Sequence, residues 1–198
     1  MIAAGRGRET ADLRLPIRTS SLLLRPFEAE DCAKVFAMSR ESAMREWIPD
    51  QVYRDEAEAR RVLDHLIAQY QNPAPAQRPF VLGISVKDTG DLIGHVGLSP
   101  AEGEVEIGYA IEEKSQGRGY ATQAVAAMAE WGLARFGLSR ILGIVSADNG
   151  ASCRVLEKAG FHLVREAEGS LHGRVGLVRR YERRAPSTEG DPEREEGR

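Results

Sequence analysis

The 198-residue chain has only two cysteines, Cys32 and Cys153, which lie far apart and without the spacing of metal ligands. A disulfide framework and a zinc site are therefore not expected, and we interpret both residues as small, buried side chains on helices. No apolar run is long enough to cross a bilayer, and residues 1–14 lack the apolar segment of a secretory signal. These absences favour a cytoplasmic protein.

Neither sign of charge dominates, because 27 basic and 30 acidic residues leave a net charge of -3. No long basic stripe is present, so broad nucleic-acid binding is not favoured. The 42% apolar and 29% charged residues are typical of a soluble globular protein. The length suits one domain with a core of its own. We place that domain at residues 15–183, between a flexible tail at 1–14 and a disordered, charged tail at 184–198.

The hydrophobic periodicity predicts a mixed α/β domain with the element order β, α, α, β, β, β, α, β, α, β, β. This order differs from the alternating pattern of a dinucleotide-binding domain. The three central strands, at 80–86, 92–98 and 105–111, read as an antiparallel meander. The other predicted strands cover 17–27, 141–146, 161–166 and 175–181, and the predicted helices cover 28–39, 55–70, 119–136 and 149–159.

The segment QGRGYAT, residues 116–122, places two glycines directly before a predicted helix. Such a junction leaves the N–H groups of the first helical turn free, and Gly117 and Gly119 remove side chains that would keep an anion at a distance. The helix dipole, with Arg118 and Lys114, would favour a pyrophosphate. The segment is neither a P-loop nor a full G-x-G-x-x-G motif. From the glycines alone, a phosphate site and a plain chain turn are both open.

Four segments, in order, resemble the GCN5-related N-acetyltransferases, or GNAT superfamily. They are IRTSSLLLRPFEAED from residue 17, EVEIGYAI from 104, QGRGYA from 116 and NGASCRVLEKAGF from 149. The first two resemble the RimJ/RimL-like branch, which acetylates ribosomal-protein N-termini. The resemblance runs from residue 17 to about 181. It implies a single-domain α/β GNAT fold, with a mixed, mostly antiparallel central sheet of about seven strands flanked by about four helices.

The resemblance also implies a ligand, acetyl-CoA as the acetyl donor, and no metal. Its pyrophosphate would lie on the loop 116–122, and its pantetheine arm would pair like an extra strand with the end of the strand at 109–111. A strand edge with unpaired N–H and C=O groups suits an amide-bearing ligand. The cofactor-binding residues implied are Tyr109, Ala110, Ile111, Gln116, Gly117, Arg118, Gly119, Tyr120, Ala121, Thr122, Asn149 and Ser152.

Acetyl transfer to an amine requires a base that removes the proton of the amine. Strand alternation places Glu104, Glu106, Gly108 and Ala110 on one face of the strand. A carboxylate there is costly to bury, and small neighbours would leave room for substrate, so we predict Glu106 as the base, directly or through water. The alternatives are a salt bridge from Glu106 to an arginine such as Arg25, or simple attraction of a cationic substrate. Glu104 and the strand residue His95 are the other candidate bases.

A general acid can protonate the leaving thiolate, and at the position of that acid the sequence departs from the family. Many members carry Tyr where this chain has Leu156, which has no proton to give. The remaining candidate acid is Ser152. Its alternative role is only to hydrogen-bond backbone groups in the first turn of its helix. Asn149 likewise suits the N-cap of that helix. The thiolate could also leave unassisted. The resemblance implies a backbone N–H near Ile111 as the donor to the oxyanion.

Acceptor specificity, by the same resemblance, lies in residues 28–70 and 166–178. Met38, Met44, Trp47 and Ile48 form either an apolar wall there or part of the core. The segment after Phe161 departs from the branch pattern, so the acceptor is left open between a protein N-terminus and a small-molecule amine. We expect an acetyl-CoA-dependent N-acetyltransferase. The alternatives are a non-catalytic acyl-CoA-binding or sensing domain and a nucleotide-binding protein. A homodimer is a further expectation from the resemblance.

Overall fold

The computed structural model describes residues 13–186, which contain one eight-stranded sheet and five α-helices. The strand order across the sheet is β1-β2-β3-β4-β5-β6-β8-β7, and all neighbours are antiparallel except β5 and β6, which run parallel. The strands are β1 Ile17–Arg18, β2 Leu22–Arg25, β3 Phe80–Val86, β4 Leu92–Ala101, β5 Glu104–Ile111, β6 Arg140–Ser146, β7 His162–Leu171 and β8 Arg174–Arg184. The helices are α1 Cys32–Ser39, α2 Ser42–Trp47, α3 Glu56–Ala68, α4 Tyr120–Phe136 and α5 Gly150–Lys158.

Both faces of the sheet are covered, because successive side chains of a strand point to opposite faces. On β3, Phe80 and Leu82 belong to the main core with the buried stripe of α4, whereas Val81 packs with α1 and α3 on the other face. Helix α4 approaches the sheet closely: a Cβ at Gly132 would lie 2.5 Å from a methyl carbon of Leu98. A larger residue at this position would have to displace the Leu98 side chain. The helix therefore sits directly over the strands that carry the site.

The predicted α/β fold class is confirmed, with two differences in the elements. The predicted strand 17–27 is divided into β1 and β2, because Thr19 turns the chain: its N–H donates to the Leu22 carbonyl (3.0 Å) and its hydroxyl accepts from the Leu22 N–H (2.9 Å). The second difference is α2, a helix of six residues that the periodicity did not reveal. The sheet thus has eight strands rather than about seven, with five helices rather than about four.

The predicted tails lie mostly outside the described residues. At their inner ends, the indole N–H of Trp131 donates to the Leu13 carbonyl (3.3 Å), and the Ala185 N–H donates to the Ser139 carbonyl (3.0 Å). The packed domain is therefore a few residues longer than the predicted 15–183. Cys32 and Cys153 are free and buried on helices, as predicted. Each helix between residues 13 and 186 is too short or too polar to span a bilayer.

Candidate functional site

The sheet splits between its two parallel strands. β5 and β6 pair at Glu106 and Leu142, and beyond this pair β5 continues to Ile111 with β4 as its only strand partner among the described residues. The edge of β5 that faces β6 therefore offers unpaired backbone groups. A cavity of about 600 Å³ lies at this split, which is a volume suited to a small-molecule ligand.

The glycine loop forms one end of the cavity. Gly117 and Gly119 have φ angles of +74° and +78°, and Gly119 is the N-cap of α4. A Cβ at either position would meet nothing within 4 Å, so the left-handed backbone, not crowding, requires glycine. None of the six N–H groups from Gly117 to Thr122 donates to an acceptor within residues 13–186. A row of free donors at the start of a 17-residue helix has the geometry and the dipole that favour an anion.

Gln116, the first residue of the motif, holds this loop against the strand. Its side-chain Nε2 donates to the carbonyl of Ile111, the last residue of β5, at 2.9 Å. The side chain thus links the strand edge to the loop. The free amides and the unpaired edge of β5 are fixed relative to one another.

Glu106 is the acidic side chain that the split leaves without a partner. It is half-buried and forms no hydrogen bond or ion pair with any described residue. Burial raises the pKa of its carboxyl, Glu102 raises it further, and His172 opposes this. Its neighbour Gly108 is exposed, with nothing within 4 Å of where a Cβ would be, which leaves open space beside the carboxylate.

The predicted alternative for Glu106, a salt bridge to Arg25, is wrong. The Arg25 guanidinium instead binds the Asp31 carboxylate through two hydrogen bonds of 2.8 Å. Asp31 opens the segment that leads into α1, so Arg25 is used to join β2 to that helix and cannot neutralise Glu106.

The other two candidate bases are less suited to the task. Arg140 binds the Glu104 carboxylate and lowers its pKa, and Glu104 does not line the cavity. His95 does line the cavity, paired across the sheet with Ala110, but burial lowers its pKa to about 4. Its imidazole is therefore neutral at physiological pH and a weak proton acceptor.

The start of α5 forms the opposite wall. Asn149 caps this helix as predicted, because its Oδ1 accepts from the Ser152 N–H at 3.0 Å. The Ser152 carbonyl accepts from the Tyr109 hydroxyl at 3.2 Å, which ties α5 to β5. Ser152 itself lines the cavity. Burial raises the pKa of Tyr109 to about 12, so its hydroxyl keeps its proton.

Leu156 belongs to the hydrophobic core and also lines the cavity. It is 2% exposed and packs over β6, where a Cβ at Gly143 would lie 2.7 Å from one of its methyl carbons. The position at which many relatives carry Tyr is therefore part of the core in this chain, and no hydroxyl replaces it there.

The second half of the cavity is an apolar wall built from α1, α2 and the tip of the β7–β8 hairpin. The tip turns at His172 and Gly173, which both have positive φ (+51° and +77°), as a two-residue hairpin requires. It reaches α2, where the Arg174 guanidinium lies over the Trp47 ring at 5.6 Å and donates to the Glu46 carbonyl at 2.9 Å. The wall consists of Met38, Met44, Trp47, Ile48, Tyr53 and Leu171, and includes all four predicted apolar residues.

The structure brings the predicted base Glu106, the predicted acid Ser152 and all the predicted cofactor-binding residues except Arg118 into this one cavity. Arg118 is exposed and, like Glu104 and Lys114, lies outside its lining. Two cations that the sequence reasoning missed, Arg154 and Lys158, line the cavity from α5. Their spacing of four residues after a helix cap is the signal that would have found them. Within residues 13–186, no group of three or more His, Cys, Asp or Glu side chains is placed to hold a metal ion.

Comparisons with known proteins agree with this geometry. The family described as "Acetyltransferase (GNAT) domain" matches residues 21–162, which include the loop and most of the cavity. The uncharacterized N-acetyltransferase YnaD of Bacillus subtilis is 30% identical over 147 residues, or 73% of this chain and 81% of that protein.

Two solved structures share the fold. An acetyltransferase (GNAT family) from Bacillus anthracis has a TM-score of 0.73 at 23% identity, with 85% of this chain and 97% of that chain covered. RimL, a ribosomal L7/L12 alpha-N-protein acetyltransferase in complex with coenzyme A, has a TM-score of 0.70 at 20% identity, with 85% and 96% covered. The chain thus belongs to the GNAT family, as its motifs implied, and is an N-acetyltransferase.

Proposed function

We propose that this enzyme transfers an acetyl group from acetyl-CoA to a primary amine, which attacks the thioester directly in the cavity at the β5–β6 split. One observation carries the proposal. A row of free amides, an unpaired strand edge and an unpartnered, half-buried carboxylate face the same cavity. Each of these meets a separate need of the reaction.

The free amides of residues 117–122 would bind the pyrophosphate, helped by the dipole of α4. The edge of β5 from Tyr109 to Ile111 would hydrogen-bond the amides of the pantetheine arm. Arg154 and Lys158 add positive charge on the α5 side of the cavity. The coenzyme A bound to RimL, which has the same fold, supports this choice of donor.

Glu106 is proposed to take the proton of the acceptor ammonium, directly or through one water. Burial raises its pKa, which makes the carboxylate a better base than an exposed one. The amine nitrogen then bonds to the thioester carbon, and the N–H of a residue near Ile111 stabilises the charge on the carbonyl oxygen. The attacking nitrogen gives its second proton to solvent. When the carbon–sulfur bond breaks, the Ser152 hydroxyl would give a proton to the thiolate and regain one from solvent, or solvent would protonate the thiolate directly.

The acceptor would be a protein N-terminus or a small-molecule amine. The apolar wall around Met44 and Trp47 favours an acceptor with an apolar group beside its amine, because burial of that group against the wall stabilises binding. A cytoplasmic location and a homodimer, both expected from the sequence, belong to the same proposal.

The first test is a thermal melt with acetyl-CoA, with NAD and ATP as controls. A ligand at 100 times its Kd adds about 2.7 kcal/mol to the free energy of unfolding, which is a readily measured shift. A panel of amines and peptides then follows, with release of the free thiol of coenzyme A as the signal. No shift at millimolar acetyl-CoA contradicts the proposal. A shift without turnover on a broad panel supports the alternative, a non-catalytic acyl-CoA sensor, which the apolar Leu156 position favours.

A further inference from the structure

Helix α2, which carries part of the apolar wall, is capped from a distant part of the chain. Its own N-cap residue, Glu41, makes no side-chain cap. Instead, the Glu113 carboxylate accepts hydrogen bonds from the Ser42 hydroxyl (2.5 Å) and the Ala43 N–H (3.2 Å). A helix of six residues is marginal without such support. The first turn of α2 therefore depends on a residue about 70 positions later.

The capping is reciprocal. The Glu41 carboxylate accepts from the N–H of Glu113 at 2.8 Å. Glu113 begins a short 3₁₀ turn, Glu113–Ser115, that leads directly into the glycine loop. Each carboxylate thus satisfies the backbone of the other's element, so α2 and the turn hold each other in place.

A buried ion pair joins α1 to the same turn. The Lys34 ammonium binds the Glu112 carboxylate, which is 4% exposed as a residue and also accepts from the Ser115 hydroxyl at 2.8 Å. Burial alone would raise the pKa of the Glu112 carboxyl. The hydrogen bonds from Lys34 and Ser115 have the larger effect, so the pKa is lowered. The Lys114 ammonium lies 3.7 Å from the same carboxylate, so Glu112 is held by cations from α1 and from the turn itself.

These contacts place one turn, residues 112–115, between the two halves of the cavity. On one side, Gln116 ties the loop back to the end of β5. On the other side, α1 and α2 present Met38, Met44 and Trp47 to the acceptor half. We propose that Glu41 and Glu113 are positioning residues through which acetyl-CoA on the glycine loop orders α2, and with it the acceptor wall. This inference rests on the proposed function. By linkage, a bound acceptor would strengthen acetyl-CoA binding by the same factor by which bound acetyl-CoA strengthens acceptor binding.

Amide hydrogen exchange of the full chain, followed by mass spectrometry with and without saturating acetyl-CoA, tests the coupling. In the wild type, acetyl-CoA should slow exchange both in residues 116–122 and in α2, in α2 by about fivefold or more. Glu113→Ala should keep the slowing in the loop and lose it in α2. Glu113→Gln keeps an acceptor oxygen and should therefore show part of the slowing of exchange in α2. Arg45→Ala is the matched control, since Arg45 is exposed on α2 and its side chain forms no hydrogen bond or ion pair with a described residue.

The outcomes separate this inference from the proposed function. No slowing in the wild-type loop means that acetyl-CoA is not the ligand, whatever the variants do. If the loop is protected but the slowing in α2 persists in Glu113→Ala, Glu113 is a structural cap only and the coupling is refuted. Should Glu113→Ala unfold in a thermal melt, Glu41→Ala answers the same question, because it removes the reciprocal bond and leaves the cap of α2 in place.

Discussion

Replacement of Glu106 by glutamine tests the chemistry of the site with little change to its shape. The side chain keeps its size but loses its basicity, and no described residue depends on its charge for a hydrogen bond or ion pair. General-base catalysis contributes about 10²- to 10⁴-fold to a rate, which corresponds to about 2.7 to 5.4 kcal/mol of activation free energy. We expect kcat/KM for the acceptor to fall by that factor, with the Kd of acetyl-CoA unchanged.

The stability of the variant gives a second, independent readout. Because burial raises the pKa of Glu106 in the folded protein above its unfolded value of about 4.3, the folded wild type binds the proton more tightly. Its free energy of unfolding therefore decreases as pH rises from the unfolded pKa through the raised folded pKa. Glu106→Gln has no carboxyl at this position, so its free energy of unfolding lacks this decrease with pH. At neutral pH the variant should melt at the same temperature as the wild type or higher.

Steady-state release of coenzyme A, measured from pH 6 to 10, discriminates between the roles of Glu106. If it is the base, the rate of the variant should climb with pH as the amine deprotonates in solution, while the wild type levels off earlier. Glu104→Gln is the matched control, since Glu104 lies on the same strand but binds Arg140 away from the cavity. A loss below about tenfold, with an unaltered pH profile, refutes the base. An effect confined to the acceptor KM assigns Glu106 to attraction of the ammonium.

Three further predictions follow from the geometry. Gly119→Ala forces a Cβ into a left-handed backbone with φ +78° and should weaken acetyl-CoA binding at least tenfold. Its control is Gly90→Ala, in a distant turn with φ +76°, which should carry similar strain of about 1–2 kcal/mol without loss of binding. Equal affinities of the two variants in calorimetry would contradict the anion site. Ser152→Ala keeps the backbone carbonyl that binds Tyr109, so single-turnover kinetics should show a slower step with an unchanged melting temperature, and an unchanged step would mean that the thiolate leaves unassisted. His95→Gln should leave the pH profile between pH 5 and 8 intact, because the pKa of His95 is about 4; a profile that shifts would make His95 the base.

The parts of the structure that the sequence predicts are those coded locally. The loop 116–122 needs two positive-φ residues before a helix, and two glycines separated by one residue predict this. Asn149 precedes its helix and caps it three residues on. Helix α2 escaped prediction because its cap comes from Glu113, and no pattern within six residues reveals such a partner. The break at Thr19 likewise depends on the hydrogen bonds of one side chain, with Leu22 and with Gln123 of α4, inside an otherwise strand-like run.

The alternation of side chains along β5 predicted which face Glu106 lies on, but not which charged groups form ion pairs. Alternation placed Glu106 on the face of β5 opposite Val105 and Ile107, and those two side chains are indeed buried in the core. Alternation could not show which arginine pairs with which carboxylate, because Arg25 and Arg140 reach their partners through the tertiary fold. The choice between Glu104 and Glu106 therefore required the structure.

The site follows from one topological fact, the parallel pairing of β5 and β6. A crossover through α4 connects these strands, so their carboxyl ends meet at the same edge of the sheet, and the helices that follow them begin there. The free amides of α4 and the capped start of α5 are thus brought to either side of the split. Pairing stops at Glu106, which places that carboxylate at the apex, where the two strands diverge and a ligand can enter. A bulky side chain at the exposed Gly108, which lines the cavity beside Glu106, would occupy the open space there. It should therefore abolish acetyl-CoA binding and acetyl transfer together while the fold persists.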